Sequence, residues 1–407
     1  MRGGRCRETL NLLMNLKTPV YLDNNATTPM DPRVLEEMLP FFLEKFGNAA
    51  SRTHAFGWEA EEAVEIAREN IAQLIGANPK DIVFTSGATE ANNLAMKGIF
   101  ENYSSKGNHI ITVQTEHKAV LDTCKHIEKL GGTVTYLSVN EDGLISLQEL
   151  EAAITDQTIL ISVMYANNET GVIQPIREIS AIAKKHGILF FTDATQAVGK
   201  IPVDVHSDGI DLMSFSAHKL YGPKGVGALF VKKSNPAVNI IAQIDGGGHE
   251  RNMRSGTLNV PGIVGLGKAC EICLDELNTE QKRLAGLRTH FEKELFILND
   301  ITINSGQVSR LPHCTNISFK TIDGDKMILE AGSQIAFSRS SACTSATMEP
   351  SHVLKAMSLS DENIHTSFRF SFGRFTTEDD VNYAIRVISK IVKEHRSERN
   401  YGHHQSV

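Results

Sequence analysis

Short apolar runs alternate with helical periodicity along the chain from about residue 58 to residue 232. In segment 58–76 the apolar residues recur at helical spacing, and Gly76 marks the helix end. Seven apolar runs are interpreted as strands, at 82–85, 109–113, 133–137, 159–166, 187–194, 211–219 and 225–231. Runs that are apolar on both faces and separated by helices predict a mostly parallel, seven-stranded sheet covered by helices on both sides.

The pattern changes after about residue 262. Helical periodicity at 264–298 precedes a strand at 316–320, a loop at 338–350, a strand at 367–372 and a final helix at 377–396. Acidic residues begin the final helix and basic residues end it, which is the order that the helix dipole favours. This change of pattern predicts a smaller α+β domain, with a polar and frayed tail at 397–407.

The composition is that of an ordinary soluble globular protein. Of the 407 residues, 41% are hydrophobic and 22% are charged, and the formal net charge is -7. A nucleic-acid-binding protein usually has a basic excess, so we expect no nucleic acid partner. No apolar run reaches the length of a membrane span, and residues 1–17 make a poor signal peptide. We therefore expect no membrane association.

The chain has six cysteines, which is too few to indicate a disulfide framework, so a reducing cytoplasm is the expected location. Cys270 and Cys273 form a C-x-x-C pattern inside a helical segment. Without a second pair or nearby histidines, we interpret them as two buried helix thiols rather than zinc ligands or a redox pair. No metal is expected in the active site.

Polar clusters follow several of the predicted strands, where ligands bind in open α/β sheets. Lys219 follows a strand in SFSAHKLYGPKG (214–225), and a partly desolvated lysine there can form a Schiff base. Asp193 ends the strand ILFFTD, where a carboxylate can keep a pyridine nitrogen protonated. A surface lysine in a turn and a turn-capping aspartate are the ordinary alternatives.

Three more clusters fit a phosphorylated, planar cofactor. The strand-to-helix turn TSGATEANN (85–93) offers backbone N–H groups and the Thr89 hydroxyl to a phosphate, although Ser86 or Thr89 can simply cap the helix. His117 can stack on a flat ring, although a lone histidine is more often structural. NNETG (167–171) is either a polar turn or a donor to the cofactor. Polar clusters at the ends of five predicted strands together indicate a ligand site.

Cys343 lies among small polar residues, SSACTS (340–345), rather than on an apolar face. Exposed thiols are uncommon, because cysteine is usually buried. Arg339 would favour the thiolate and so its nucleophilicity, or it would dock an acidic acceptor protein without approaching the sulfur. From this stretch alone, an incidental loop cysteine is the simpler interpretation.

Taken together, these motifs resemble the cysteine desulfurases, in the class V group of fold-type I pyridoxal-phosphate enzymes. The resemblance extends from about Tyr21 to His395 and includes a cysteine loop similar to that of the subgroup serving iron–sulfur assembly or nitrogen fixation. The matching segments are YLDNNATTPMDPRV (21–34), FGNAASRTHAFG (46–57), FTSGATEANN (84–93), TEHKAV (115–120), NNETG (167–171), DATQAVGK (193–200), SFSAHKLYGPKGVG (214–227), GGGHERNMRSGT (246–257), SSACTS (340–345) and SFRFSFGRFTT (367–377).

The resemblance implies pyridoxal 5'-phosphate as the cofactor of a fold-type I transferase. Lys219 would hold the cofactor covalently, Asp193 would pair with its ring nitrogen, and His117 would stack on its ring. Other cofactor contacts are implied for Asn168 and Gln196 at the ring substituents, and for Ala88, Thr89, Ser216 and His218 at the phosphate. The implied large domain is 29–275, and the small domain combines 1–28 with 276–407 and carries the cysteine loop.

The resemblance also implies a reaction and partners. Arg369 would bind the carboxylate of L-cysteine, Asn25 would lie near the site, and Thr257 would reach the phosphate of the neighbouring subunit in a homodimer. Lys219 would remove the Cα proton, and the Cys343 thiolate would attack the substrate sulfur. Alanine would leave, and the Cys343 persulfide would pass to an acceptor such as an iron–sulfur scaffold.

Two departures from the resemblance lie in the cysteine loop. Relatives commonly have glycine where Ser340 stands and a small residue where Arg339 stands, so the loop would be stiffer or bind a different acceptor. The alternative within the superfamily is a selenocysteine or cysteine lyase, or a transaminase, in which Cys343 is idle. The alternative from another class is a catalytically silent partner protein that retains the fold.

Overall fold

The computed structural model describes residues 17–234, 236–339 and 350–404 of the chain. Its strands, β1 to β13, are Val20–Tyr21, Ile82–Thr85, His109–Val113, Thr133–Leu137, Thr158–Ser162, Leu189–Asp193, Leu212–Ser216, Gly227–Val231, Ile301–Ile303, Cys314–Phe319, Ile335–Ala336, Ser338–Arg339 and Ser367–Ser371. Its helices, α1 to α12, are Pro32–Met38, Pro40–Leu43, Ala55–Ile75, Ala88–Asn102, Lys118–Lys129, Leu147–Ala152, Ile176–Lys185, Val260–Phe296, Gly324–Ala331, His352–Ala356, Asp361–His365 and Glu378–His404.

The larger sheet has seven strands in the order β2-β8-β7-β6-β5-β3-β4. Neighbouring strands are parallel except at β8, which runs antiparallel to both β2 and β7. The prediction of a mostly parallel α/β sheet is therefore confirmed. Two predicted strands are too long, because β5 ends at Ser162 and β7 at Ser216. Residues 163–166 after β5 are buried in a loop, and Ala217 after β7 is buried in a helical turn, so the hydrophobic pattern continues beyond the strand pairing.

Helix α3 has the boundaries that its capping residues dictate. The His54 side chain accepts a hydrogen bond from the N–H of Gly57 at the amino-terminal end, so the helix begins three residues before the predicted residue 58. Gly76 ends the helix with φ 66°, a left-handed conformation that glycine adopts without strain. A β-carbon at Gly76 would also lie 2.3 Å from the Asp204 carboxylate. The predicted helix end at Gly76 is confirmed.

The smaller sheet is antiparallel and has the strand order β12-β13-β10-β9. Its apolar side chains, such as Phe368 and Phe370 of β13, form one hydrophobic cluster with residues of α8 and α12. Phe291 of α8 packs against Phe370 with ring centroids 5.0 Å apart. Helices and an antiparallel sheet thus form the second core, as the change of pattern after residue 262 predicts.

Helix α8 contributes to both hydrophobic cores. Its first half, including Cys270 and Cys273, belongs to the cluster around the larger sheet, and its second half belongs to the cluster of the smaller sheet. Cys270 and Cys273 are buried and free, which confirms their interpretation as helix thiols. The predicted domain boundary after residue 275 falls inside this helix and stays a prediction.

Helix α12 continues to His404, so the predicted fraying from residue 397 is wrong as far as that residue. Its first turn is rich in acidic residues, Glu378, Asp379 and Asp380, whose charges interact favourably with the helix dipole. Across the described residues, no helix has the length and apolar character needed to cross a membrane.

The segment after β1 links the two sheets. Strand β1 pairs in parallel with β11, and the Ser371 N–H of β13 donates to Leu22 O at 2.8 Å. Six residues later, the Thr28 N–H donates to His218 O at 2.9 Å, just beyond the end of β7. Residues 23–28 therefore run from the smaller sheet to the carboxyl end of the larger one.

Candidate active site

A cavity of about 1350 Å³ lies beyond the carboxyl ends of strands β2, β6 and β7. Most of the residues predicted for the site line this cavity, namely Asn25, Ala88, Thr89, His117, Asn168, Asp193, Gln196, Ser216, His218, Lys219 and Arg369. Their elements converge because the carboxyl ends of parallel strands meet at one edge of a sheet.

Lys219 lies in the single helical turn Ala217–Lys219 that follows β7. Its Nζ donates to two main-chain carbonyl oxygens, those of Asn25 and of Ala26, the latter at 2.7 Å. Burial, and then the positive charge of Arg369, lowers the pKa of Lys219 to about 8. The amine therefore has an appreciable neutral fraction near neutral pH, which a nucleophile or a base requires.

Asp193 at the end of β6 is held by two donors. The N–H of Thr195 donates to its Oδ1 at 3.0 Å, and Asn92 Nδ2 donates to its Oδ2 at 2.8 Å. Asn92 is itself oriented by the hydroxyl of Ser214, which donates to Asn92 Oδ1. These contacts fix the carboxylate in the lining of the cavity, where it can accept a hydrogen bond from a protonated ring nitrogen.

The sequence reasoning did not identify the role of Asn92. The signal was its position: Asn92 is fully buried on the apolar face of α4, among Ala91, Leu94 and Ala95. Buried amides are almost always hydrogen-bonded, so an asparagine on the apolar face of a helix next to a site indicates a bonded partner.

The turn from β2 into α4 forms the other end of the cavity. Gly87 precedes the helix with φ 154°, a conformation that favours glycine, and Ala88 and Thr89 form the first helical turn. The Glu90 carboxylate accepts from the N–H of Ser86 at 2.8 Å and pairs with Arg254 at 2.7 Å. Helix amino-terminal N–H groups attract anions, so this end suits a phosphate.

The last residue of β7 and a residue of the turn that follows it complete the anion end. Ser216 and His218 both line the cavity. His218 Nδ1 lies 3.1 Å from Thr27 Oγ1. Burial, and then the charges of Lys219 and Lys224, lower the pKa of His218 to about 4. His218 therefore offers a neutral ring rather than a charge at neutral pH.

His117 precedes α5 at the wall of the cavity. The N–H of Ala119 donates to His117 Nδ1 at 3.1 Å, so a ring with one proton carries it on Nε2. The adjacent Glu116 is buried, and burial, followed by the charge of Asp193, raises its pKa well above the usual value. Burial beside Asp193 therefore disfavours the ionised form of the Glu116 carboxyl.

Asn25 connects the amino-terminal segment to the site. Its main-chain oxygen accepts from Gln196 Nε2 at 3.0 Å and from Lys219 Nζ. Its side-chain Nδ2 donates to Asn168 O at 3.1 Å, and His313 Nε2 donates to its Oδ1 at 2.8 Å. Asn25 thus contacts both the lysine and the loop after β5.

Arg369 on β13 reaches the cavity from the smaller sheet. Its Nη1 donates to Asn168 O at 3.0 Å, and its Nη2 pairs with Asp23 Oδ1 at 2.6 Å. Its buried Nε has no hydrogen-bond partner among the described residues. The guanidinium therefore retains a donor for a ligand, although a carboxylate of the chain already neutralises it.

Cys343 lies outside the described residues, and so does Ser340. The flanking residues are anchored near the site. Ser351 Oγ donates to Glu169 Oε2 at 2.6 Å, and His352 Nε2 donates to Glu116 O at 2.9 Å. On the other side, Arg339 pairs with Asp325 at 2.7 Å.

Thr257 is the predicted site residue that the structure places elsewhere. Its side chain is exposed, and it lies outside the lining of this chain's own cavity. It follows the segment that contains Arg254, whose guanidinium pairs with Glu90 in the first turn of α4. The predicted role of Thr257 in a neighbouring subunit stays a prediction.

Comparisons with known proteins cover nearly the whole chain. The family model described as Aminotransferase class-V matches residues 20–383. A protein of Anaeromyxobacter sp. (strain Fw109-5), named Cysteine desulfurase IscS, is 53% identical over 382 residues, which are 94% of each chain. Among solved structures, a NifS-like protein has a TM-score of 0.86 and 40% identity, covering 92% of this chain and 100% of the other. SspA in complex with cysteine has a TM-score of 0.78 and 38% identity, covering 88% and 99%.

Proposed function

The chain belongs to the class V aminotransferase family, and we propose that it is a cysteine desulfurase that stores sulfur as a persulfide on Cys343. The observation that supports this most is the convergence of Lys219, Asp193 and Arg369 on one cavity. They supply an amine of lowered pKa, a carboxylate for a ring nitrogen and a cation for an amino acid carboxylate. The similarity to relatives named as cysteine desulfurases supports L-cysteine as the substrate.

The cavity fits pyridoxal 5'-phosphate, the cofactor on which the family depends. A helix amino terminus preceded by Gly87 suits the phosphate, and Ala88, Thr89, Ser216 and His218 would surround it. Asp193 would accept a hydrogen bond from the ring nitrogen, and Lys219 would bind the aldehyde carbon covalently. His117 would stack on the ring, with Asn168 and Gln196 at its substituents. When bound, this cofactor withdraws electrons from the Cα atom of the amino acid.

Lys219 moves the proton in this proposal. Its Nζ takes the proton from the substrate Cα, and the neighbouring carbonyls of Asn25 and Ala26 accept hydrogen bonds from the resulting ammonium. Arg369 binds the substrate carboxylate and so orients Cα towards Lys219. The Nε of Arg369, which has no hydrogen-bond partner in the described part of the chain, supports this assignment.

Cys343 accepts the sulfur. Its thiolate sulfur forms a bond to the sulfur of L-cysteine while the Cβ–S bond of the substrate breaks, and Cβ receives the electron pair and a proton. L-Alanine leaves, and Cys343 retains a persulfide. One thiol and one cysteine give one persulfide and one alanine, so the step requires no external oxidant or reductant.

The proposal includes a sulfur acceptor, because a persulfide on Cys343 must be removed before the next turnover. An acceptor protein with a free thiol, such as an iron–sulfur scaffold, would take the outer sulfur. A reducing compartment such as the cytoplasm suits this chemistry, and the four described cysteines are free thiols.

We further propose that the protein is a homodimer. Seven large apolar side chains between residues 35 and 58 are 45–76% exposed, which is typical of an interface. They are Leu35, Leu39, Phe42, Leu43, Phe46, Phe56 and Trp58. The exposed Thr257, outside its own cavity, fits a contact with the phosphate of the partner subunit.

The test is incubation of the cofactor-loaded protein with L-cysteine and a thiol reductant. We expect sulfide and alanine in equal amounts, and a persulfide on Cys343 when the reductant is omitted. Cys343→Ser should retain the cofactor and bind cysteine but produce no sulfide, because neither binding step uses this thiol.

Cys124→Ser is the matched control, since Cys124 is a buried thiol of the described chain and should not affect sulfide release. Normal sulfide release by Cys343→Ser would contradict the proposal and favour a lyase in which Cys343 is idle. Pyruvate and ammonia in place of alanine would favour the same lyase.

A further inference from the structure

Asp23 lies outside the cavity lining and pairs with Arg369, the arginine proposed to bind the substrate carboxylate. Its Oδ1 accepts from Arg369 Nη2 at 2.6 Å, and its Oδ2 accepts from Ser338 Oγ at 2.9 Å. Arg369 and Ser338 line the cavity, and Asp23 lies outside that lining. The side chains of Arg369 and Asp23 are only 10% and 18% exposed. Asp23 is therefore the counter-ion of a largely buried guanidinium, with both oxygens engaged.

The negative charge of Asp23 makes it a competitor of the substrate carboxylate at the Arg369 guanidinium. A carboxylate binds a guanidinium through two parallel N–H groups, either from Nε and one Nη or from the two Nη atoms. Arg369 Nη1 donates to Asn168 O, and Nη2 donates to Asp23. A substrate carboxylate that binds through two N–H groups must therefore share a nitrogen with one of these acceptors or displace it. Asp23 is the one of the two that repels another carboxylate.

Ser338 connects this exchange to a second element. It lies on β12, directly opposite Arg369 of β13 in the antiparallel ladder. Strand β12 ends at Arg339, four residues before Cys343. One aspartate thus contacts both the arginine of the substrate site and the strand that leads to the sulfur-accepting cysteine.

We propose that Asp23 is a positioning residue that pairs with Arg369 until the substrate carboxylate takes its place. Ser338 stays hydrogen-bonded to Asp23 and passes the resulting change in the position of Asp23 on to β12. The inference rests on the proposed function, in which Arg369 binds substrate and Cys343 accepts sulfur. In the free enzyme, Asp23 neutralises Arg369 and holds β12 through Ser338. In the substrate complex, Asp23 loses Arg369 and keeps the hydrogen bond from Ser338.

The first experiment measures L-alanine binding to the cofactor-loaded protein through the absorbance change of the cofactor. Alanine has the substrate carboxylate but no sulfur, so it binds without transfer. Asp23→Asn removes the competing charge, and the new amide can still accept from Arg369 and donate to the Ser338 hydroxyl. We expect alanine to bind about threefold to tenfold more tightly to this variant, since a like charge at the arginine is removed.

The second experiment measures alkylation of Cys343 by iodoacetamide, followed by peptide mass spectrometry, with and without saturating alanine. In the parent enzyme we expect alanine to change the alkylation rate. Ser338→Ala should bind alanine within about twofold of the parent, because the Asp23–Arg369 pair remains. It should lose most of the effect of alanine on alkylation, because the link to β12 is gone.

Tyr21→Phe is the matched control. The Tyr21 hydroxyl donates to Asp23 O at 3.1 Å, so this variant also removes one hydroxyl next to Asp23 but leaves its carboxylate contacts intact. It should behave like the parent in both experiments. A loss of the alanine effect in Tyr21→Phe as well would show general loosening and overturn the role of Ser338.

The outcomes separate the inference from the proposed function. Weaker alanine binding in Asp23→Asn would show that Asp23 only supports Arg369 and would overturn the exchange. An undiminished alanine effect in Ser338→Ala, or no effect in the parent, would overturn the link to β12. If Arg369→Leu left alanine binding unchanged, the assignment of Arg369 in the proposed function would fail, and the inference with it.

Discussion

The lowered pKa of Lys219 predicts how fast the apoprotein takes up its cofactor. Only the neutral amine attacks an aldehyde. A lysine with a pKa of about 8 is neutral in about one molecule in ten at pH 7, against about one in 3000 for a lysine of ordinary pKa. The environment of Lys219 therefore raises the concentration of the reactive form by about 300-fold at this pH.

The perturbation is Arg369→Gln, because the charge of Arg369 is the second cause of the lowered pKa, after burial. Removing that charge raises the pKa of Lys219 and reduces the neutral fraction at pH 7. The negative charge of Asp23 raises the pKa of Lys219 as well, and in this variant the charge of Arg369 no longer offsets it. Burial remains, so we expect attachment about threefold to tenfold slower at pH 7, where each pKa unit changes the neutral fraction tenfold.

The assay is stopped-flow absorbance after mixing apoprotein with pyridoxal 5'-phosphate between pH 6.5 and 9.5. Above the pKa of both proteins the two rates should converge, because the amine is then neutral in each. Arg369→Lys, which keeps a positive charge, should follow the parent. Identical pH profiles for Arg369→Gln and the parent would refute the electrostatic reasoning and leave burial as the whole cause.

Two further predictions concern contacts within the site. Asn92→Leu should weaken cofactor binding by about tenfold to a hundredfold, because a hydrogen bond to a charged group is worth about 1.5–3 kcal/mol. Titration of the apoprotein with cofactor would measure the affinity, and an affinity equal to that of the parent would show that Thr195 alone orients Asp193. Arg369→Leu should raise the KM for cysteine by about tenfold to a hundredfold with the cofactor spectrum unchanged, and an unchanged KM would make Arg369 a structural partner of Asp23.

Sequence patterns predicted the parts of the site that end strands. Asp193 and the turn at Lys219 follow buried apolar runs, and the carboxyl ends of parallel strands share one edge of the sheet. Hydrophobic periodicity locates such runs, so these residues are found without knowledge of any contact. The chemistry open to each of them also follows from its residue type and position, whereas its assignment to a particular contact with the cofactor was implied by the resemblance and stays a prediction.

The contacts that orient these residues could not be predicted in the same way. Asn25 bonds to Lys219, which is 194 residues away, and Asp23 pairs with Arg369, which is 346 residues away. Periodicity reports which face of an element is buried, not which distant side chain lies opposite. Only the path of residues 23–28 between the two sheets brings these partners together.

Arg339 shows how such a distant contact changes an interpretation based on neighbours in sequence. From the sequence, its charge either favours the Cys343 thiolate or docks an acidic acceptor. In the structure it pairs with Asp325 at 2.7 Å, and its side chain is only 11% exposed. A carboxylate that close offsets most of the field of the guanidinium at larger distances, and an acceptor would have to displace it. Either role therefore requires the Arg339–Asp325 pair to open first, so Asp325 is part of any account of how an acceptor would bind at Arg339.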